Sequence, residues 1–112
     1  MIVPKPPSIG TLRKYGLTAA DWLSILRRQG GGCGVCGRRP PTVLLCIDHE
    51  HVRGWRKLKP QERRRHVRGI ACYHCNHRLL GRFITIDGIK LALVYLKAYA
   101  DRVNVTSNRS VE

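Results

Sequence analysis

At 112 residues the chain has the length of one domain, and folding at this size buries only about two-thirds of the surface an unfolded chain exposes, so a covalent or metal staple would help a small core. Lysine and arginine number 21 against 7 aspartate and glutamate, a formal charge of +14, which makes a polyanion the natural partner and nucleic acid the leading one; a basic surface kept for solubility, or a ribosome-associated packing protein, is the plainer alternative. No apolar run reaches the length of a signal peptide or a membrane span, which argues against a membrane partner and predicts an intracellular, unsecreted protein.

Residues 1–10 hold three of the six prolines and no periodic pattern, as expected of an extended arm. One domain is expected over residues 11–103, with a polar tail at 104–112. Thr18 and Asp21 fit a capping box, after which Trp22, Ile25, Leu26 and Gln29 fall on one helical face, with Trp22 read as core, and Gly30-Gly31-Gly32 ends the helix. Cys33 to Gly37 reads as a knuckle. Pro40-Pro41 then breaks structure, and Thr42 to Ile47 is β-branched and apolar enough for a short strand that delivers Asp48-His49-Glu50-His51 at its end.

Between Arg53 and Arg68 lie eight Lys or Arg and a single acid, Glu62, a balance that suits a solvated loop or short helix. Residues 67–71 can pair back as a second strand, and a short helix is expected from Cys75 to Arg82. Near the end Asp87 can cap a helix through about Ala100, with Ile86 and Leu91 as a hydrophobic staple and Ile89, Leu93, Leu96 and Ala100 as its main stripe. Leu91, Val94 and Tyr95 widen the apolar surface beyond one face, so this helix is either deeply packed or the contact of a homodimer.

Five cysteines are an odd count for a disulfide framework in a reducing compartment, and metal ligation is the better reading. Cys33-Gly34-Val35-Cys36 and Cys72-Tyr73-His74-Cys75 are two C-x-x-C pairs whose thiolates can share one tetrahedral Zn2+. A closed four-sulfur site has no open position for substrate, so its role is structural: it pins both ends of the segment between the knuckles. Cys46, left over on a strand, reads as a small buried hydrophobe.

Hydrolysis of a phosphodiester needs a base for water, a cation to stabilise charge developing at phosphorus, and contacts that hold the backbone. Asp48 offers a hard oxygen suited to Mg2+ or Mn2+, His49 titrates near neutrality, and Asn76, directly after the last cysteine, offers a second oxygen. The basic segment, through Arg53, Arg56, Lys57, Arg63, Arg64, Arg65 and Arg68, suits phosphate contacts that carry affinity without reading sequence. Within it, Trp55 is an anchor for the loop or a platform for a base.

These residues resemble the recombination endonuclease VII family of phage nucleases, within the HNH or ββα-metal superfamily. The resemblance rests on Tyr15-Gly16-Leu17, Gly32-Cys33 to Cys36, Asp48 to His51, Arg68-Gly69 to Asn76 and Leu80-Gly81, and covers roughly residues 14–100. It implies a small α+β fold, a ββα-metal (His-Me finger) core stapled by the four-cysteine zinc site and flanked by N- and C-terminal helices. It also implies that Asp48 and Asn76 bind the catalytic cation, that His49 is the general base and that His51 lies near the scissile phosphate. The activity implied is divalent-metal-dependent cutting of duplex or branched DNA, including Holliday junctions, in phage recombination or packaging, in the host cytoplasm if the chain is phage-encoded. A non-catalytic zinc-ribbon DNA-binding module is the alternative, and nothing in such a module requires Asp48, His49 and Asn76 together.

Overall fold

Ser8 opens the first helix, its hydroxyl accepting from the Thr11 amide at 3.3 Å, and α1 runs Ile9–Lys14, so the extended arm is shorter than the sequence suggests. The computed structural model describes residues 3–81 and 84–111, of which residues 104–111 are described by their backbone alone. Thr18 and Asp21 form the expected capping box at the start of α2, Ala19–Arg28. Between the two helices Gly16 has a left-handed φ of 67°, and a Cβ there would collide with the Pro60 carbonyl.

Leu12, Leu17, Trp22 and Leu26 from this helical pair pack with Ile47 and Ile70 from the sheet to make the main core, as read for Trp22. Gln29, on the same face, does something else. Its side-chain amide donates to the Ile70 carbonyl at 2.8 Å and accepts from the Ile70 amide at 2.9 Å, so it pairs with the strand backbone as another strand would. Gly69 makes room for it, since a Cβ at that position would lie 2.6 Å from the Gln29 oxygen.

The sheet has two antiparallel strands, β1 at Leu45–His49 and β2 at Val67–Cys72. β1 begins later than the apolar run from Thr42 implies, because the Thr42 amide closes a turn onto the Arg39 carbonyl at 3.1 Å. The ladder then opens with Leu45 opposite Cys72, and it extends through Asp48 and His49 rather than stopping before them. Its register shifts between Asp48, opposite Gly69, and His49, opposite Val67, which leaves Arg68 as the extra residue of a bulge.

The basic segment between the strands folds into three short pieces, a 3-10 turn at Trp55–Lys57, α3 at Pro60–Arg63 and a second 3-10 turn at Arg64–His66. After β2 comes one wide turn, Cys75–Leu79, closed by a bond from the Leu80 amide to the Cys75 carbonyl at 2.7 Å, in place of an ordinary helix. The far end of the expected helix, Arg82, lies outside the described residues. The last helix, α4, spans Ile86–Val111. Thr85, not Asp87, caps it: the threonine hydroxyl accepts from the Gly88 amide at 2.9 Å and its carbonyl from Ile89. Asp87 instead lies in the first turn, where a carboxylate favours the helix dipole.

Contacts divide the chain into two units, residues 1–82 and residues 83–112. Within the second unit, the large apolar side chains of α4 are left uncovered by the rest of that unit. Among the described residues no helix is long and apolar enough to cross a membrane.

Candidate active site and metal centre

Four sulfurs converge where β2 ends: the ligand atoms of Cys33, Cys36, Cys72 and Cys75 all lie within 4.8 Å of one another, with Cys36 and Cys72 3.8 Å apart. A tetrahedral ion with metal–sulfur bonds of about 2.3 Å sets sulfurs about 3.8 Å apart, so the cluster fits a single zinc ion. The knuckle backbone supports the fit. Amides of Val35 and Cys36 point at the Cys33 sulfur at 3.4 and 3.5 Å, and the Cys75 amide points at the Cys72 sulfur at 3.4 Å.

Cys33, Cys72 and Cys75 are buried and pack with Ala71 in a second core, bordered by Val43, Leu45 and Leu80. Burial opposes ionisation of Cys33, but the amides of Cys36, Cys72 and Val35 outweigh it and bring the thiol down to about 6. Burial and the neighbouring thiols push Cys75 up to about 12. Four thiolates cannot accumulate here without positive charge among them, and a bound cation reverses that balance. Cys46 stands outside the cluster, half-buried on β1, with burial raising its pKa.

Asp48 is the buried acid of the first unit, at 4% exposure. The bulge in β2 brings Arg68 onto it, and the guanidinium donates Nε to Oδ2 and Nη2 to Oδ1, each at 2.8 Å. Such a bidentate pair satisfies both oxygens and balances the buried charge. Asn76 is half-buried in the wide turn that follows the last cysteine. The cation attracted to Asp48 in this structure is the Arg68 guanidinium.

His49, the next residue, emerges among aromatic rings. Trp55 stacks on it with centroids 4.0 Å apart and planes inclined by 18°, His51 comes within 4.6 Å and Tyr15 within 5.5 Å. Burial, and then the nearby His51, hold the His49 pKa below the usual histidine value, so the ring is neutral near pH 7 and able to accept a proton. His51 itself is exposed. Beyond these rings His66 Nδ1 lies 3.0 Å from the Glu50 carboxylate, and the Glu50 amide donates to the His66 carbonyl at 2.8 Å.

The basic residues fall into two groups. Arg63 donates to the carbonyls of Lys14, Trp55 and Arg56 at 3.1 to 3.3 Å and sits 5.4 Å from the Trp55 ring centroid. Arg64 pairs with Asp21, holding that carboxyl well below the usual carboxylate range, and donates to the Gly16 carbonyl at 3.1 Å. With Arg68 on Asp48, three of the arginines nominated for DNA hold the fold or the site together. Arg53, Arg56, Lys57 and Arg65 remain as exposed side chains. Sequence reasoning missed the Arg68–Asp48 pair and the stacking of Trp55 on His49; a register for the two strands would have exposed the first, while the second depends on how the inserted segment folds back.

Cysteine knuckles closing a two-stranded sheet, with an acid and an imidazole at the end of one strand, mark a small α+β protein with four cysteines positioned to hold a metal ion. The family profile of recombination endonuclease VII matches residues 10–100, and the chain belongs to that family. It is similar to the Gene 59 protein of Mycobacterium phage D29, 35% identical over 88 residues, 77% of this chain and 47% of that protein. It is also similar to the Gene 59 protein of Mycobacterium phage L5, 33% identical over 87 residues, 76% of this chain and 46% of that protein. The chain therefore spans about half the length of these curated relatives. No solved structure matches it at a significant level.

Proposed function

We propose that the chain is a divalent-metal-dependent DNA endonuclease of the HNH type, with β1, β2 and the wide turn after Cys72 serving as its ββα-metal core within a single functional domain and the four cysteines holding a structural zinc ion. The observation that carries this reading is the strand end itself: a buried carboxylate and an imidazole of lowered pKa on consecutive residues, in a two-stranded sheet whose opposite end carries the cysteine cluster. A cation held by Asp48 and Asn76 would stabilise the charge that develops at phosphorus and on the leaving oxygen. His49 accepts the proton of the attacking water, the step its depressed pKa suits at neutral pH. His51, exposed beside it, contacts the scissile phosphate. Nicking of supercoiled plasmid by zinc-loaded protein, present with Mg2+ and absent in chelator, is the test. Cleavage in chelator would overturn the metal mechanism, and DNA binding with no cutting under any cation would favour a non-catalytic zinc-ribbon module.

For the DNA contact, the division of the basic residues makes a specific expectation. Replacing Arg53, Arg56, Lys57 and Arg65 by Gln should weaken binding on all sequences alike and flatten the salt dependence of log K by about 0.9 per lost phosphate contact. Replacing Arg63 and Arg64 should instead lower thermal stability, because their guanidiniums are engaged by carbonyls and by Asp21. Titrations at several salt concentrations, beside melting curves, separate the two groups, and normal binding by the fourfold variant would remove the loop from the interface. Four-way junctions and linear duplexes of the same arms, compared in one cleavage assay, decide whether branched DNA is preferred.

In α4, Ile86, Ile89, Leu93, Leu96, Ala100 and Val103 recur at alternating steps of three and four, a coiled-coil seam, and the large members are 41 to 74% exposed. This seam pairs with that of a second copy. The expected mass in solution is twice the 12.7 kDa of the chain, and a monomer at working concentrations would remove the pairing.

A further inference from the structure

A histidine that serves as a base is ordinarily oriented through its second ring nitrogen, which donates to a carbonyl or carboxylate and so fixes both tautomer and ring plane. Among the described residues no hydrogen bond engages either ring nitrogen of His49. What holds the ring is its face: the indole of Trp55 lies against it at 4.0 Å and 18°. Turning the imidazole about its Cβ–Cγ bond would drive its edge into the indole, so stacking fixes the plane while both nitrogens stay free at the ring edge. The indole is fixed in turn. Arg63 binds the carbonyls of Trp55 and Arg56 and that of Lys14 at the end of α1, and its guanidinium lies over the indole ring. Tyr15, next to Lys14, reaches both rings, at 5.5 Å from His49 and 6.0 Å from Trp55.

We propose that Trp55 is a positioning residue for His49: the basic segment between the strands folds back so that its one indole, clamped by Arg63, sets the plane of the catalytic imidazole. The inference rests on reading His49 as the base. It also decides between the two sequence readings of Trp55, because a ring already engaged by an imidazole and a guanidinium is poorly placed to stack on a nucleobase. Misplacement of a reacting group by about 1 Å can lower a rate by about a hundredfold, so an effect of about 10- to 100-fold on kcat is expected here.

The test uses the zinc-loaded full chain and supercoiled plasmid. Trp55→Leu keeps apolar bulk without a ring and should lower kcat by about 10- to 100-fold with KM within about twofold of wild type, while Trp55→Phe, which keeps an aromatic face, should recover most of the loss. Proton NMR of the histidine rings gives a second readout that needs no activity. The His49 ring protons, shielded by the indole in the wild type, should move downfield in Trp55→Leu and only partly so in Trp55→Phe. A wild-type kcat for Trp55→Leu, unchanged His49 shifts, or a loss falling on KM would each overturn the proposal, the last by making Trp55 a DNA contact. Should Trp55→Leu fail to fold by circular dichroism, Trp55→Met is judged by the same measures. Nicking by His49→Ala would sink the base reading instead, whereas an inactive His49→Ala beside a fully active Trp55→Leu would sink the positioning role alone.

Discussion

His49→Ala is expected to cut plasmid DNA about 10²- to 10⁴-fold more slowly than wild type, the range that a well-placed general base contributes, while zinc content and DNA affinity stay close to normal. His49 is half-buried at the end of β1 and contributes no side-chain hydrogen bond to the fold among the described residues. Its removal leaves Trp55 without a stacking partner but breaks no ion pair. Asp48→Ala should fail differently. The carboxylate is buried and bidentate to Arg68, so its loss both empties the anionic position of the site and leaves a guanidinium unpartnered, though Arg68 is one-third exposed and can be hydrated. Raising Mg2+ or Mn2+ should restore part of the activity of Asp48→Ala and of Asn76→Ala, since added cation acts on occupancy, and none in His49→Ala, since it cannot replace a proton acceptor. Nicking rates across a metal titration, with circular dichroism as the folding control, separate these outcomes. Rescue of His49→Ala by cation alone would reverse the assignments.

Removing the zinc should unfold the first unit. A structural four-cysteine site holds its ion by roughly 10 kcal/mol or more, as large as the whole stability of a typical domain at about 5–15 kcal/mol, so the unit retains little net folding free energy without it. The structure shows why: of the two buried clusters, one consists of three of the cysteines with Ala71, and it closes the end of β2. Cys72→Ser and Cys75→Ser should therefore lower the melting temperature sharply and lose the ion, and chelator should abolish the cooperative transition of the wild type. Cys46→Ser, outside the cluster, should leave zinc stoichiometry at one per chain. A folded, metal-free protein with an unchanged melting curve would show that the sulfurs converge for another reason.

Much of this was legible before the fold was known. The two C-x-x-C pairs located a cysteine cluster able to hold a metal because their spacing alone limits where the thiolates can point, and the capping box at Thr18 was local chemistry that tertiary packing left alone. The strand and helix ends were less legible. The apolar run from Thr42 concealed a turn, and the cap of α4 fell to Thr85, a threonine two residues ahead of the acid that drew attention. Charge was the least specific signal. A run of arginines looks uniform in one dimension, yet Arg63, Arg64 and Arg68 are distinguished by carbonyls and carboxylates that only folding brings near them.

A two-stranded sheet has two outer edges, and exposed edges invite a strand from another molecule. On the far side of β2, Ile70 offers an amide and a carbonyl to any such visitor, but Gln29 takes both and the Gly34 amide adds a second bond to that carbonyl at 2.9 Å. One side chain thus acts as a plug against β-aggregation, and it reaches the edge only because Gly69 has no Cβ to hold it off. Conversion of Gly69 to alanine would leave the cysteines and Asp48 in place while reopening the strand, so its harm would be colloidal before it was catalytic.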